Sequence, residues 1–153
     1  MNDLVIKILD YIDNNLYSKI SIDELSRLYS YNKDYIMRTF KRELNLTIID
    51  YINKKRVYNS LDKLKETNDS ILKISILYGF SSIEYYSETF NKLLGVNPHT
   101  FRKFTKNDSS ITYKDIELIR KNITSLKYQL EQITKYSRNT PSKNTIKKLS
   151  IFK

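Results

Sequence analysis

The chain of 153 residues contains no cysteine, no tryptophan and no alanine, and only two glycines, two prolines and one histidine. Each absence removes a class of function. Without cysteine there is no disulfide framework, no thiolate nucleophile and no Cys-based zinc or iron–sulfur site, which suits a reducing interior. One histidine leaves no material for a His-rich metal site. Gly79 and Gly95 stand too far apart for a phosphate-cradling loop, because G-x-G-x-x-G and G-x-x-x-x-G-K-[ST] both need closely spaced glycines. No carboxylate pair is placed with a nucleophile or a metal partner. The expectation is a protein with no catalytic activity and no cofactor. No window approaches the roughly 18 apolar residues of a membrane span. The N-terminus carries Asp3, Asp10 and Asp13 and no cleavage-site pattern, so a cytoplasmic protein without membrane contact is expected.

What the chain does have is isoleucine, lysine, asparagine and 13 tyrosines, a bias that reads as AT-rich codon usage. It also has 27 Lys+Arg against 17 Asp+Glu, a net charge of +10, and such a balance points to a polyanion, most often nucleic acid.

Scarce glycine and proline together with 3.6-residue periodicity predict an all-α protein. The spacing of Val5, Ile8, Leu9, Ile12 and Leu16 predicts a first helix over 3–16. Ser21 with Glu24 forms a capping box signature for a helix over 22–29. Asn32 caps a helix over 33–44 that buries Tyr35, Ile36, Phe40 and Leu44, and Asn45 stops it. A long helix follows over 47–66. Ser70 caps 71–78, a turn at Gly79-Phe80-Ser81 leads into a helix over 82–94, and Asn97-Pro98 starts a short one to Phe104.

The chain repeats itself. A shift of 49 places Ile22, Ser26, Leu28 and Tyr29 on Ile71, Ser75, Leu77 and Tyr78. A shift of 50 places Tyr35, Thr39, Phe40 and Leu44 on Tyr85, Thr89, Phe90 and Leu94. Each copy is a short helix, a tight turn and a longer helix, the helix-turn-helix arrangement whose second helix lies in the major groove. A connecting helix of about 20 residues spans about 30 Å at 1.5 Å per residue. That is close to the ~34 Å between successive major grooves on one face of DNA. One chain can therefore present two reading helices to one duplex without dimerising.

Residues 4–104 resemble the DNA-binding region of AraC/XylS-type transcription regulators. The resemblance is carried by Ile71-x-x-Ile74-Ser75, Tyr78-Gly79-Phe80, Tyr85-Tyr86-Ser87-x-x-Phe90 and Gly95-x-x-Pro98-x-x-Phe101-Arg102. In the first unit it is carried by Leu25 and Tyr35-Ile36-x-Arg38-x-Phe40-Lys41, with Tyr51 and Arg56 between the units. It implies a seven-helix bipartite domain, two helix-turn-helix units joined by a long linker helix, that binds double-stranded promoter DNA in two adjacent major grooves. It also makes RNA polymerase a candidate partner. The chain departs from the family pattern at Ser60 and Ser75, where alanine is usual, and at Asn45, where glycine is usual. Glu88 stands where arginine is common, and Asn91 where lysine or arginine is common.

The DNA-facing candidates in the first unit are Lys33, Asp34, Met37, Arg38 and Lys41. Arg38 has the fork that fits guanine O6 and N7, whereas Lys33 and Lys41 suit phosphate as point charges. The competing reading for Arg38 is an ion pair with Asp34 four residues before it. In the second unit the candidates are Ser82, Glu84, Tyr85, Glu88, Asn91 and Lys92. Glu88 either accepts from cytosine N4 or pairs with Lys92. Arg102, Lys103 and Arg56 are phosphate candidates, with a structural carboxylate pairing as the other reading for Arg56. His99 reads as a surface residue.

Beyond a polar linker at 105–112, Ile116, Ile119, Ile123, Leu126, Leu130 and Ile133 follow a heptad spacing on a helix within 113–138. Two readings stay open. The seam makes a homodimer, or the helix folds back on the first domain. The first of these admits another function, a protein-interaction module that pairs through its tail to modulate a regulator. Residues 139–153 read as a flexible basic tail. Residues 1–104 hold 16 bases and 13 acids, and 105–153 hold 11 bases and four acids, so most of the excess charge lies outside the two reading units.

Overall fold

In a computed structural model, residues 2–136 are described, and the expected helix end at 137–138 and basic tail at 139–153 lie outside them. Eight α-helices and no strand occur among the described residues. They are α1 (Asp3–Asn14), α2 (Ile22–Tyr29), α3 (Lys33–Leu44), α4 (Ile48–Glu66), α5 (Ile71–Leu77), α6 (Ile83–Leu94), α7 (Pro98–Thr105) and α8 (Tyr113–Thr134). No described helix is long and apolar enough to cross a membrane.

The helix starts are local chemistry. Asn32, Ser70, Ser82 and Asn97 each accept, through the side chain, a backbone N–H three residues on. Each thereby satisfies one of the orphan amides of a first turn. Ser21 does the same for Glu24, but the expected reciprocal bond is replaced: the Glu24 carboxylate accepts the Tyr11 hydroxyl at 2.5 Å. A complete capping box sits instead at Thr47 and Asp50. The first helix ends at Asn14 rather than 16, because the Asn15 amide turns back to donate to the Tyr11 carbonyl. The turn frees the carbonyls of Leu16 and Ser18 for a partner on α4.

One core runs through the chain. α2 packs on α3, α5 on α6, and α4 touches α3, α5, α6, α7 and α8. Because α4 is surrounded, it is buried nearly all round, including Lys55, Arg56, Asn59 and Ser60. Polar groups at such depth need partners. Lys55 forms an ion pair with Asp13 of α1, and Asp13 also accepts the Tyr51 hydroxyl at 2.8 Å. The Ser60 hydroxyl meets both the Val57 carbonyl and the Tyr86 hydroxyl at 2.7 Å, so serine fits at a position where the resemblance implies alanine by bonding within and between helices.

α8 folds back on α4 and α6. Ile119, Ile123, Leu126, Leu130 and Ile133, the residues of the expected dimer seam, are buried in the chain's own core, and Ile116 is half-buried. Of the two readings left open this is the fold-back one, and it corrects the use of this seam for dimerisation, because the seam is already covered by α4 and α6. The segment before α8 is pinned as well. Lys106 donates to Asn68 at 2.9 Å, and Asp108 accepts both the amide and the hydroxyl of Ser110.

Candidate nucleic-acid interface

Each unit closes its tight turn with a left-handed residue. Ser30 (φ 57°) ends α2, and Gly79 (φ 86°) follows α5. The αL conformation reverses the chain so that α3 and α6 cross the helices before them. Asn45 (φ 59°) and Gly95 (φ 81°) then end α3 and α6 with the same geometry, which asparagine tolerates better than most non-glycine residues. Gly95 has a second reason to be glycine, since a Cβ there would stand 3.2 Å from the Asn122 amide, which caps the Leu94 carbonyl.

On α3 the inward residues Ile36, Thr39 and Phe40 are buried, so Lys33, Asp34, Met37, Arg38 and Lys41 are exposed on the other side. Arg38 forms no ion pair with the Asp34 carboxylate; its Nε donates to the Asp34 backbone carbonyl at 3.3 Å. Its terminal nitrogens thus remain directed to solvent on a base-rich face. Lys33 is engaged by Asp23 of α2 at 2.8 Å. That hydrogen bond and charge hold the Lys33 ammonium above its ordinary value and the Asp23 carboxyl below its own. Lys33 is therefore a weaker phosphate candidate than Lys41. Sequence reasoning missed Arg42, exposed one turn after Arg38, and Tyr31, exposed and stacked on Tyr35 with centroids 5.0 Å apart. The i, i+4 spacing from Arg38 was the available signal for Arg42.

The face of α6 differs. Glu84, Glu88, Asn91 and Lys92 are exposed as expected. Glu88 and Lys92 do not form an ion pair among those the described residues make. Ser82 is the N-cap, its hydroxyl accepting the Tyr85 amide at 3.0 Å. Tyr85 is half-buried, edge-on to Phe80, and its hydroxyl accepts from Asn53 of α4 at 2.8 Å. Both are therefore held by the fold rather than presented freely. An open groove of about 640 Å³ lies between α6 and the N-terminal half of α4, with Asn53, Lys54, Tyr85, Glu88 and Lys92 among its walls. By the internal repeat, Arg38 corresponds to Glu88 and Lys41 to Asn91, so the second face has lost the charges that the first keeps.

Two other phosphate candidates have partners within the fold. Arg102 is half-buried and its Nε donates to the Leu64 carbonyl at 3.0 Å, capping α4 from α7. Arg56 is 7% exposed and binds no carboxylate; it donates to the carbonyls of Leu16 (2.7 Å), Ser18 (2.8 Å) and Gly79 (2.8 Å). Burial corrects the expectation of phosphate contact for Arg56, whereas Arg102 is half-buried with only its Nε engaged and stays a phosphate candidate. Lys103 and His99 are exposed.

A family model for a helix-turn-helix domain matches residues 25–103. The multiple antibiotic resistance protein MarA of Escherichia coli (strain K12) is 36% identical over 95 residues, which is 62% of this chain and 75% of MarA. The HTH-type transcriptional activator AarP of Providencia stuartii is 25% identical over 118 residues, 77% of this chain and 84% of AarP. Among solved structures, a protein of unknown function from Listeria innocua superposes with a TM-score of 0.64 at 25% identity, over 67% of this chain and 98% of that one. The DNA-binding domain of the global transcriptional factor AdpA, solved with a target DNA, superposes with a TM-score of 0.63 at 15% identity, over 72% of this chain and all of that one, a likeness of fold.

Proposed function

The chain belongs to the AraC/XylS-type DNA-binding transcription regulators, and from that premise we propose that α3 and α6 enter successive major grooves of one promoter duplex with unequal roles. α3 anchors: Arg38 reads a base, with Lys41 and Arg42 on flanking phosphates. α6 discriminates through Glu88 and Asn91, with Glu84 and Lys92 at its edges. Reading is assigned to residues 1–104. α4, at 19 residues, gives the two units a separation of about 28 Å along its axis, within reach of the groove repeat.

The observation that carries this reading is the contrast among the arginines. Arg56 gives all three nitrogens of its guanidinium to backbone carbonyls, whereas Arg38, bonded only through Nε, keeps its terminal nitrogens on an exposed, base-rich face. A base-reading arginine is worth about 1–3 kcal/mol, roughly 5- to 150-fold in affinity. Titration of a duplex recovered by selection from a random library tests the assignment. Arg38→Ala is expected to lose affinity in that range, with Glu88→Ala changing sequence preference more than affinity. An intact Arg38→Ala with an inactive Glu88→Ala reverses the roles.

The regulator works in the cytoplasm, where the promoter is, and the reading involves no catalytic step. Activation is supported by the likeness to AarP, a transcriptional activator, and RNA polymerase is the protein partner that activation would require.

A further inference from the structure

The two turns of the repeat are equivalent in sequence position and in backbone conformation, yet only one is glycine. Ser30 shows that an ordinary residue tolerates the left-handed turn where it is exposed. Gly79 has a neighbour that Ser30 lacks. A Cβ on Gly79 would lie 2.9 Å from the Tyr17 Cα, 2.9 Å from the Tyr17 carbonyl oxygen and 3.1 Å from the Arg56 guanidinium carbon. Tyr17 belongs to the α1–α2 loop of the first unit, and Gly79 to the turn of the second. The two units are pressed together at backbone distance at this point.

Arg56 fills the joint. Its Nε and Nη2 hold the carbonyls of Leu16 and Ser18 in the first unit, and its Nη1 holds the Gly79 carbonyl in the second. The Phe80 ring lies under the guanidinium at 5.9 Å. Around it Tyr17 meets the Tyr78 ring edge-on at 5.1 Å, and its hydroxyl accepts from Asn59 of α4 at 3.0 Å. A planar, five-donor group is the side chain able to bind three carbonyls in fixed directions; a lysine reaches fewer and fixes none.

We propose that Arg56 is a positioning residue that locks the two reading units to each other, and so makes the number of base pairs between the two half-sites a determinant of specificity. The inference rests on the two-groove reading above. Adding one base pair displaces one half-site by about 3.4 Å along the axis and rotates it. A locked pair of heads has to abandon one groove or distort the DNA to follow. A loosened pair follows.

The test uses the full chain and a duplex recovered from random-library selection, together with derivatives carrying one base pair more or fewer between the half-sites. Affinities are read by fluorescence anisotropy, and folding by circular dichroism and thermal unfolding. The unaltered protein is expected to lose at least about tenfold in affinity on either change, a difference of about 1.4 kcal/mol. In Arg56→Lys, Arg56→Gln and Gly79→Ala the ratio between native and altered spacing is expected to fall to about threefold or less, with affinity for a single half-site unchanged. If the unaltered protein ignores spacing, the two-groove reading itself fails. If it responds to spacing and a folded Arg56 variant keeps the full penalty, the positioning role is overturned. Loss of cooperative folding in all three variants makes the joint a folding element alone and overturns it too.

Discussion

Leu126 separates the two ways in which a heptad-spaced helix can be used. It is 3% exposed, on the face of α8 turned to α4 and α6. Leu126→Ala removes three buried carbons, about 2.4 kcal/mol at about 0.8 kcal/mol each. The cavity left in a core that only partly relaxes raises the expected loss to about 3–5 kcal/mol. For a chain of this size that corresponds to about 6–20 °C in the unfolding midpoint. Thermal and urea unfolding of the full chain at protein concentrations spanning about a hundredfold is the assay, because a two-state monomer has a midpoint independent of concentration and a dimer does not. The variant is expected to unfold in one cooperative step at a lower midpoint, with neither protein's midpoint moving with concentration. Ser125→Ala, on the exposed side of α8, is the control and should stay within about 0.5 kcal/mol. A Leu126→Ala loss below about 1 kcal/mol, or a midpoint that climbs with concentration, refutes the fold-back packing.

The other consequences concern charge. Arg38→Ala is expected to relax sequence preference at one base position, whereas Lys41→Ala should lower the salt slope of DNA binding by about 0.9 with a uniform loss across sequences; the reverse pattern exchanges their roles. Asp13→Asn leaves the Lys55 ammonium buried opposite a neutral amide and is expected to cost about 3–5 kcal/mol in urea unfolding, with a cost under about 1 kcal/mol counting against the buried pair. Burial raises Tyr51, Tyr58 and Tyr86 above their ordinary value of 10, and Tyr78 to about 12. Above pH 10 the unfolded chain releases these protons and the folded chain holds them, so stability is full below about pH 10 and falls as pH rises beyond it. The slope is up to about 1.4 kcal/mol per pH unit for each tyrosine. Flat stability through this window, or tyrosinate absorbance that appears before unfolding, would falsify the assignment.

The helix starts were legible because a cap is a contact between residues three apart. Asn32, Ser70 and Asn97 act as read, and the internal repeat located both reading helices to within a residue. Glu24 shows where such reading stops: its local partner was the Ser21 amide, but Tyr11, on another helix, takes the carboxylate. The buried charges were only partly legible for the same reason. For Arg56 the sequence left a phosphate contact and a carboxylate pairing open, and nothing local says that α4 is buried nearly all round. The partners of Lys55 and Arg56, namely Asp13, Leu16, Ser18 and Gly79, are 23 or more residues away. The α8 seam posed a different problem. Heptad spacing specifies a narrow apolar stripe and is silent on whether the surface that covers it belongs to another copy or to the same chain.

The unequal faces of α3 and α6 have a consequence for how such a protein meets DNA. A helix bearing Glu84 and Glu88 against Lys92 gains nothing from approaching phosphate and is repelled by it unless the carboxylates reach base donors, of which cytosine N4 is the one suited to them. The first unit must therefore supply most of the attraction. With Lys33 shared with Asp23, the exposed bases of α3 left to supply that attraction in the proposed reading are Arg38, Lys41 and Arg42. Few phosphates are neutralised, so binding should weaken less with salt than a net charge of +10 suggests. An acidic second head contributes only if it is delivered to the right base pairs at the right distance, because it cannot be drawn there by charge. In the proposed arrangement rigid attachment to the first head delivers it, and a buried arginine between the units then matters more to discrimination than another basic residue on the surface would.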